Sequence, residues 1–218
     1  MTAPQGLIAF PGIPQDLILG GTLTIGHGIA PGVANIQLVP RADFQITKPG
    51  VLTLTFGRTR IQLKECVADD QQLRLSRSGQ TWSVRILDRR WKWRFGHISG
   101  RYNVRKGDGQ IDPKFEEKTP QDLVKLLAEA MGEKIDAGAI PNKPRPEVNW
   151  DYTNPARALV DLCEVLACRI ILGLDDKVKI VKIGSGRGLP NNPCAMNASF
   201  GFDATARPDN ILLVGGPT

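Results

Sequence analysis

The sequence predicts an α+β fold, with an antiparallel β-domain in its first half and a small module of two helices and a β-hairpin in its second half. Three observations predict this order. Apolar and polar residues alternate along residues 51–87, as they do in half-buried strands. Two later segments place apolar residues at helical spacing behind a capping residue and a proline. Two short apolar runs then flank a Gly-Leu-Asp-Asp turn, which is typical of a hairpin.

The β-domain is expected over residues 34–100. Its first clear strand, Val-Leu-Thr-Leu-Thr-Phe, places Leu52 and Leu54 on one face and the threonines on the other. Strands with this alternation are expected at residues 51–56, 60–66, 72–78 and 82–87. Turns between them are expected at Gly57, Asp69–Asp70 and Ser78–Gly79, because these residue types favour turn conformations.

The stretch Arg-Trp-Lys-Trp-Arg-Phe, residues 90–95, alternates cations with aromatic rings. In an extended strand the rings would lie on one face and the cations on the other. A nucleic-acid stacking platform needs both on the same surface, so the alternation favours a structural strand with buried rings and solvated cations. The cation row could still meet an acidic partner. The interaction candidates in this stretch are Arg90, Trp91, Lys92, Trp93 and Arg94.

The α+β module is expected over residues 101–190. Its first helix should begin after the N-cap Thr119, with Pro120 at the first helical position, and end at Gly132. The second helix repeats this design with Asn154 as the cap and a proline after it. Because the two helix starts lie 35 residues apart, they suggest a weak two-copy repeat. A short strand at residues 148–150 should precede the second helix, and the hairpin should follow it.

Residues 1–33 are rich in glycine and proline and show little periodicity, so they are expected to form an extended arm. An ordered surface loop is the alternative. The apolar side chains of the arm need a surface to cover, and a neighbouring subunit could provide it. We therefore predict that the arm crosses a subunit boundary, and Leu17 and Ile18 are its interaction candidates.

The positive charge of the chain is concentrated in one band. The formal net charge of the 218 residues is +6, and residues 82–106 hold eight basic side chains and one acidic one. Such a band allows a second hypothesis, in which the chain is a nucleic-acid-binding adaptor. The N-terminus lacks the basic region of a signal peptide, and no apolar run approaches the roughly 20 residues of a membrane span, so assembly in the cytoplasm is expected.

No catalytic, cofactor-binding or metal site is predicted. His27 and His97 are the only histidines, and neither has a nucleophile or a metal ligand at a suggestive spacing. Four cysteines are too few for a disulfide scaffold, and Cys163 and Cys168 would point apart on a helix. The glycine-rich residues 184–188 lack the Lys-Ser/Thr of a phosphate-binding loop. A third hypothesis, a cell-wall hydrolase, lacks a credible acid-base pair.

The succession of segments carries a family resemblance. A basic-aromatic stretch runs into Gly-x-Tyr-Asn, and the first helix, a Pro-x-Val-x-Trp strand, the second helix, a hairpin and a Gly-x-Gly-x-Gly-x-Pro segment follow. This order, over roughly residues 35–215, resembles the hub proteins at the tip of phage tails. These are related to contractile-phage baseplate hubs and to late-control proteins of type VI secretion systems.

The resemblance implies a tube-like β-barrel domain and a scaffold without catalysis, located in the virion at the tail tip. It also implies a homotrimer that joins the distal tail protein to the spike or fibre and surrounds the tape-measure protein and DNA, with DNA only in transit. Residues 191–218 are expected to be a linker and the first strand of a returning β-domain. Relatives continue well past such a strand, which puts a second tube-like domain in doubt.

Overall fold

The computed structural model describes residues 6–40, 46, 48–56, 58–76, 79–185, 198–200 and 213–215. It divides the chain into two compact units, Met1–Gly184 and Ser185–Thr218. The first unit contains a β-rich part followed by a part with both helices. The α+β class predicted from the sequence is therefore confirmed.

Six antiparallel strands form the main sheet of the first unit. They are β1 (Gly6–Ala9), β2 (Ile18–Thr24), β3 (Val33–Leu38), β4 (Gly50–Phe56), β5 (Thr59–Ser76) and β6 (Gly79–Leu87). Their spatial order is β1-β4-β5-β6-β3-β2. The first half of β5 pairs with β4 and its second half with β6, so this long strand joins the two halves of the sheet. Leu52 and Leu54 on β4 and Leu63 on β5 are buried, as the alternation predicts.

The predicted turn at Asp69–Asp70 is wrong, because β5 runs through it. The pairing of β5 with β6 shifts register between Ala68 and Asp70, which marks a β-bulge. The side chain of Asp69 accepts a hydrogen bond of 2.9 Å from the Nε of Arg85 on β6. A second irregularity lies at Glu65, whose φ of 54° is unusual for a side-chain-bearing residue. The predicted turn at Gly57 and residue 78 of the turn at Ser78–Gly79 lie outside the described residues.

A closed barrel was predicted, and the described strands do not form one. Among the residues that the structure describes, β1 and β2 are the outer strands of the sheet and share no ladder. The side chain of Ile8 on β1 closely approaches the backbone of Gly21 on β2, where an added Cβ would lie 2.7 Å from the Cδ1 of Ile8. Glycine at this position therefore permits a close approach that a larger residue would block.

Two stretches of the segment predicted as an extended arm belong to the chain's own sheet. β1 pairs with β4 and β2 pairs with β3, so the segment supplies both outer strands. Between them, Phe10 and Ile13 are only 3% and 6% exposed and lie in the core. The arm prediction is wrong because strand pairing with partners distant in sequence outweighs the weak local pattern of these glycine-rich strands.

The second part of the first unit contains the two helices and two small sheets. Its elements are β7 (Ile98–Tyr102), α1 (Pro120–Met131), β8 (Ile135–Asp136), β9 (Val148–Thr153), α2 (Pro155–Val165), β10 (Cys168–Leu172) and β11 (Val178–Lys182). β7 pairs antiparallel with β9, and β10 and β11 form the predicted hairpin. β8 adds a short parallel strand beside β11.

Both helices begin and cap as predicted. In α1 the side chain of Thr119 accepts a hydrogen bond from the Asp122 amide while Asp122 accepts one from the Thr119 amide, which forms a capping box. Gly132 ends α1 with a left-handed φ of 64°. In α2 the side chain of Asn154 accepts from the amide of Arg157. Val165, the last residue of α2, is 72% exposed.

The second unit is described only as one antiparallel strand pair. β12 (Ala198–Phe200) pairs with β13 (Leu213–Gly215). β13 lies in the stretch predicted as the first strand of a returning β-domain, and the returning domain itself stays a prediction. The proposed division of the first unit at residues 100 and 101 stays a prediction.

Candidate interaction surface

The stretch Arg-Trp-Lys-Trp-Arg-Phe is not a strand. Arg89–Arg94 form a 3-10 helix directly after β6. The side chain of Asp88 caps this helix by accepting a hydrogen bond of 2.9 Å from the Arg90 amide. Because a 3-10 helix has three residues per turn, side chains three positions apart share a side. The predicted separation of rings from cations on two strand faces is therefore wrong.

The buried side of the 3-10 helix carries one cation and one ring. Arg90 and Trp93, three positions apart, are each 1% exposed. Trp91 is half-buried and Phe95 is 56% exposed, so burial of the rings is confirmed only for Trp93. Lys92 is half-buried and Arg94 is exposed. The prediction that the cations face water is therefore wrong for Arg90.

Arg90 and Asp88 form a buried ion pair that anchors the loop before β3. The Nη2 of Arg90 lies 2.8 Å from Asp88 Oδ2. Its Nη1 donates to the carbonyls of Gly26 and Gly28, both at 2.9 Å. Asp88 also binds this loop, because the amide of Gly32 donates a hydrogen bond of 2.6 Å to Asp88 Oδ2. This network satisfies the buried charges and fixes the loop, which a buried charge requires.

Two other cations of the 3-10 helix contact separate parts of the fold. The Nε of Arg89 lies 3.2 Å from Glu133 just after α1, and its Nη1 lies 3.3 Å from Asp176 in the β10–β11 turn. Lys92 pairs with Glu65 on β5, and this hydrogen bond from Lys92 lowers the pKa of the Glu65 carboxyl. The 3-10 helix therefore ties the main sheet to α1 and to the hairpin.

These contacts weaken the nucleic-acid hypothesis. Of the eight basic residues in 82–106, four form ion pairs with carboxylates in the described part of the chain: Arg85, Arg89, Arg90 and Lys92. Nonspecific nucleic-acid binding depends on cations that are free to neutralise phosphates. Half of the band's cations are therefore neutralised within the chain, and the nucleic-acid adaptor gains no support from them.

The remaining candidates lie in two places. Trp91 meets Phe95 edge to face, with the ring centroids 6.1 Å apart, and the guanidinium of Arg94 lies 4.8 Å from the Phe95 ring. Leu17 ends a short 3-10 turn and Ile18 begins β2, and both are half-buried. The roles of these residues in an interaction stay predictions.

The cysteines that the structure describes are all buried free thiols. Burial raises the pKa of the Cys66 and Cys163 thiols to about 12. Within the described ranges no group of histidine, cysteine and carboxylate residues is placed to hold a metal ion. In the same part of the chain no helix is long and apolar enough to cross a membrane.

Sequence reasoning missed the residues that organise this surface. Asp88, Glu133 and Asp176 receive the buried or half-buried cations, and the side-chain amide of Asn154 donates to the carbonyls of Trp93 and Arg94 at 3.1 and 3.2 Å. The sequence offered one signal for Asp88, because aspartate is a preferred N-cap residue at the start of a helix. The other partners are distant in sequence and carry no local signal.

Comparisons with known proteins find solved structures with a similar fold. No protein-family model and no curated protein matches the sequence. A 43 kDa tail protein of prophage MuSo2 from Shewanella oneidensis aligns with 91% of this chain and 60% of its own, with a TM-score of 0.60 and 15% identity. A tail protein from Neisseria meningitidis MC58 aligns with 94% of this chain and 63% of its own, with a TM-score of 0.59 and 10% identity.

A third structure extends the likeness beyond phages. The E. coli c3393 protein, described as a type VI secretion component similar to T4 bacteriophage tail proteins gp27 and gp5, aligns with 84% of this chain and 50% of its own. Its TM-score is 0.50 at 12% identity. The present chain thus spans between half and two thirds of the length of these three structures. The predicted resemblance is confirmed at the level of fold: this chain has the fold of solved phage tail proteins.

Proposed function

We propose that the chain is a structural component of a phage tail tip and acts as a central baseplate hub. The observation that carries the proposal is the likeness to two tail proteins over more than nine tenths of this chain. The hub joins the distal tail protein and tail tube to the central spike or fibre and surrounds the path of the tape-measure protein and DNA. Its role is mechanical, with no catalytic step of its own.

The internal ion pairs support a mechanical role. A scaffold that transmits force needs its parts held together, and the 3-10 helix links the main sheet to α1 and to the β10–β11 turn. The pair of Arg90 with Asp88 is buried, so salt screens it less than it screens surface pairs. We expect the first unit to keep this geometry during assembly.

Self-association as a homotrimer is part of the proposal. The two outer strands of the main sheet each expose a leucine, Leu7 on β1 and Leu19 on β2, both 61% exposed. Exposed leucines on the two outer strands of a sheet suit a contact with another subunit. The strands β1 and β2 would therefore contribute to this contact as part of the folded sheet and not as a free arm.

Sedimentation equilibrium tests the trimer. The proposal predicts a species of about three times the 23.8 kDa of one chain. Leu19→Glu should lower the trimer fraction because it places a charge in the contact. Val165→Glu is the matched control, since Val165 is also an exposed apolar side chain but lies on α2. A chain that stays monomeric at all concentrations, or equal effects of the two variants, would count against the trimer.

A further inference from the structure

A preformed apolar groove lies beside the 3-10 helix. It has a volume of about 480 Å³ and is lined by apolar side chains: Ile29, Pro31, Leu87, Trp91, Trp93 and Ala156. This size lies within the range of sites that bind small molecules or single large side chains. The groove brings together the loop before β3, the end of β6, the 3-10 helix and the start of α2.

The walls of the groove are held in place before any partner arrives. Arg90 binds the carbonyls of Gly26 and Gly28, and Asp88 binds the amide of Gly32, so the loop that carries Ile29 and Pro31 is anchored on both sides. On the opposite wall the side chain of Asn154 binds the carbonyls of Trp93 and Arg94. A site fixed in this way loses little conformational entropy on binding.

The polar groups that line the groove divide into occupied and available ones. The buried guanidinium of Arg90 is paired with Asp88, the amide of Asn154 is engaged with backbone carbonyls, and the indole N–H of Trp91 donates to the Glu65 carbonyl at 3.1 Å. Arg94 and Arg157 also line the groove and are exposed. Neither pairs with a carboxylate among the residues that the structure describes.

We propose that this groove binds a segment of a neighbouring tail protein that places a large apolar side chain between carboxylates. The apolar side chain would fill the space between Trp91, Trp93 and the loop, and the carboxylates would meet Arg94 and Arg157. Arginine pairs with carboxylates in bidentate geometry, and aromatic side chains with arginine are enriched at the energetic centres of protein interfaces. This proposal describes a partner of the tail-tip scaffold, so it rests on the proposed function.

The charge pattern favours a protein segment over a nucleic acid. Two separate guanidiniums at an apolar groove match two carboxylates flanking one side chain. A nucleic-acid strand would need a row of free cations along its phosphates, whereas Arg85, Arg89 and Lys92 are already paired within the chain. The groove thus offers selective contact with an acidic, apolar sequence.

Fluorescence anisotropy with short blocked peptides tests the proposal on the full chain. The probe is fluorescein-labelled Glu-Asp-Phe-Leu-Asp-Glu, with Lys-Lys-Phe-Leu-Lys-Lys and a short oligothymidylate as comparison probes. Of the three probes, we expect only the acidic peptide to bind with a dissociation constant below about 1 mM. Arg94→Glu and Arg157→Glu should each weaken its binding about tenfold or more, because each replaces attraction with repulsion. Trp91→Ala should also weaken it, through loss of apolar contact.

Lys106→Glu is the matched control, because it makes the same charge change in the basic band but does not line the groove. Its binding should remain close to that of the unaltered chain. Equal weakening by Lys106→Glu, equal binding of the basic peptide, tighter binding of the oligothymidylate, or no binding of the acidic peptide would each overturn the proposal. A loss of trimer in Arg94→Glu would assign the groove to a second copy instead. If the acidic peptide does not bind but the trimer is intact, the groove proposal is wrong and the proposed tail-tip function is not contradicted.

Discussion

Replacing Arg90 with methionine should lower the free energy of unfolding by about 3–5 kcal/mol, since it leaves a buried carboxylate without its cation. Asp88 is 2% exposed, and the Arg90 side chain is fully buried against it. The same change removes the donors to the Gly26 and Gly28 carbonyls. Urea unfolding monitored by tryptophan fluorescence measures the effect, and amide exchange at Gly28 and Gly32 should become faster.

Arg94→Met provides the matched control, because Arg94 lies in the same 3-10 helix but is exposed. Its cost should be below about 0.5 kcal/mol. In the double variant Asp88→Asn with Arg90→Met, the total loss should be smaller than the sum of the single losses, because the uncompensated charge is gone. Equal small losses for Arg90→Met and Arg94→Met would show that the buried pair does not anchor the loop.

Trp93→Ala should destabilise the chain by about 3–5 kcal/mol, as truncation of a fully buried tryptophan does. Trp93 is 1% exposed, its indole N–H lies 3.3 Å from Glu133 Oε2, and it packs in the core shared by the helices and the main sheet. Thermal unfolding followed by circular dichroism, together with urea unfolding, gives the loss directly. The variant should also shift the environment of Trp91, which lines the same groove.

The variant Phe95→Ala tests whether this stretch is a 3-10 helix or the strand that the sequence predicts. In a strand, residues 93 and 95 would share one buried face and both truncations would be costly. In the 3-10 helix Phe95 is 56% exposed, so its truncation should cost below about 1 kcal/mol. Comparable large losses from Trp93→Ala and Phe95→Ala would restore the strand and contradict the helix.

The parts of the fold that the sequence predicted well depend on local chemistry. α1 begins after Thr119 and ends at Gly132 because a capping box and a left-handed glycine specify both ends within a few residues. Leu52 and Leu54 are buried because alternation along β4 has a single partner face. In each case the residues that determine the structure are neighbours in sequence.

The parts that the sequence predicted poorly depend on distant partners. Arg90 is buried because Gly26 and Gly28, more than 60 residues earlier, present their carbonyls to it. The alternation around Trp93 fits a strand, but the Asp88 cap and the partners of Arg90 stabilise a 3-10 helix instead. Gly6–Ala9 and Ile18–Thr24 form the outer strands of the sheet because β4 and β3 pair with them. No local pattern reveals such partners.

Cryo-electron microscopy of tail particles purified from cells that make this protein tests the tail-tip assignment most directly. The account predicts density for three copies of the chain around the tail axis at the distal tip, between the tube and the central spike or fibre. Into each copy the six-stranded sheet and the two helices of Met1–Gly184 should fit. Particles that lack the chain, or that carry it in repeated rings along the tube body, would contradict the account.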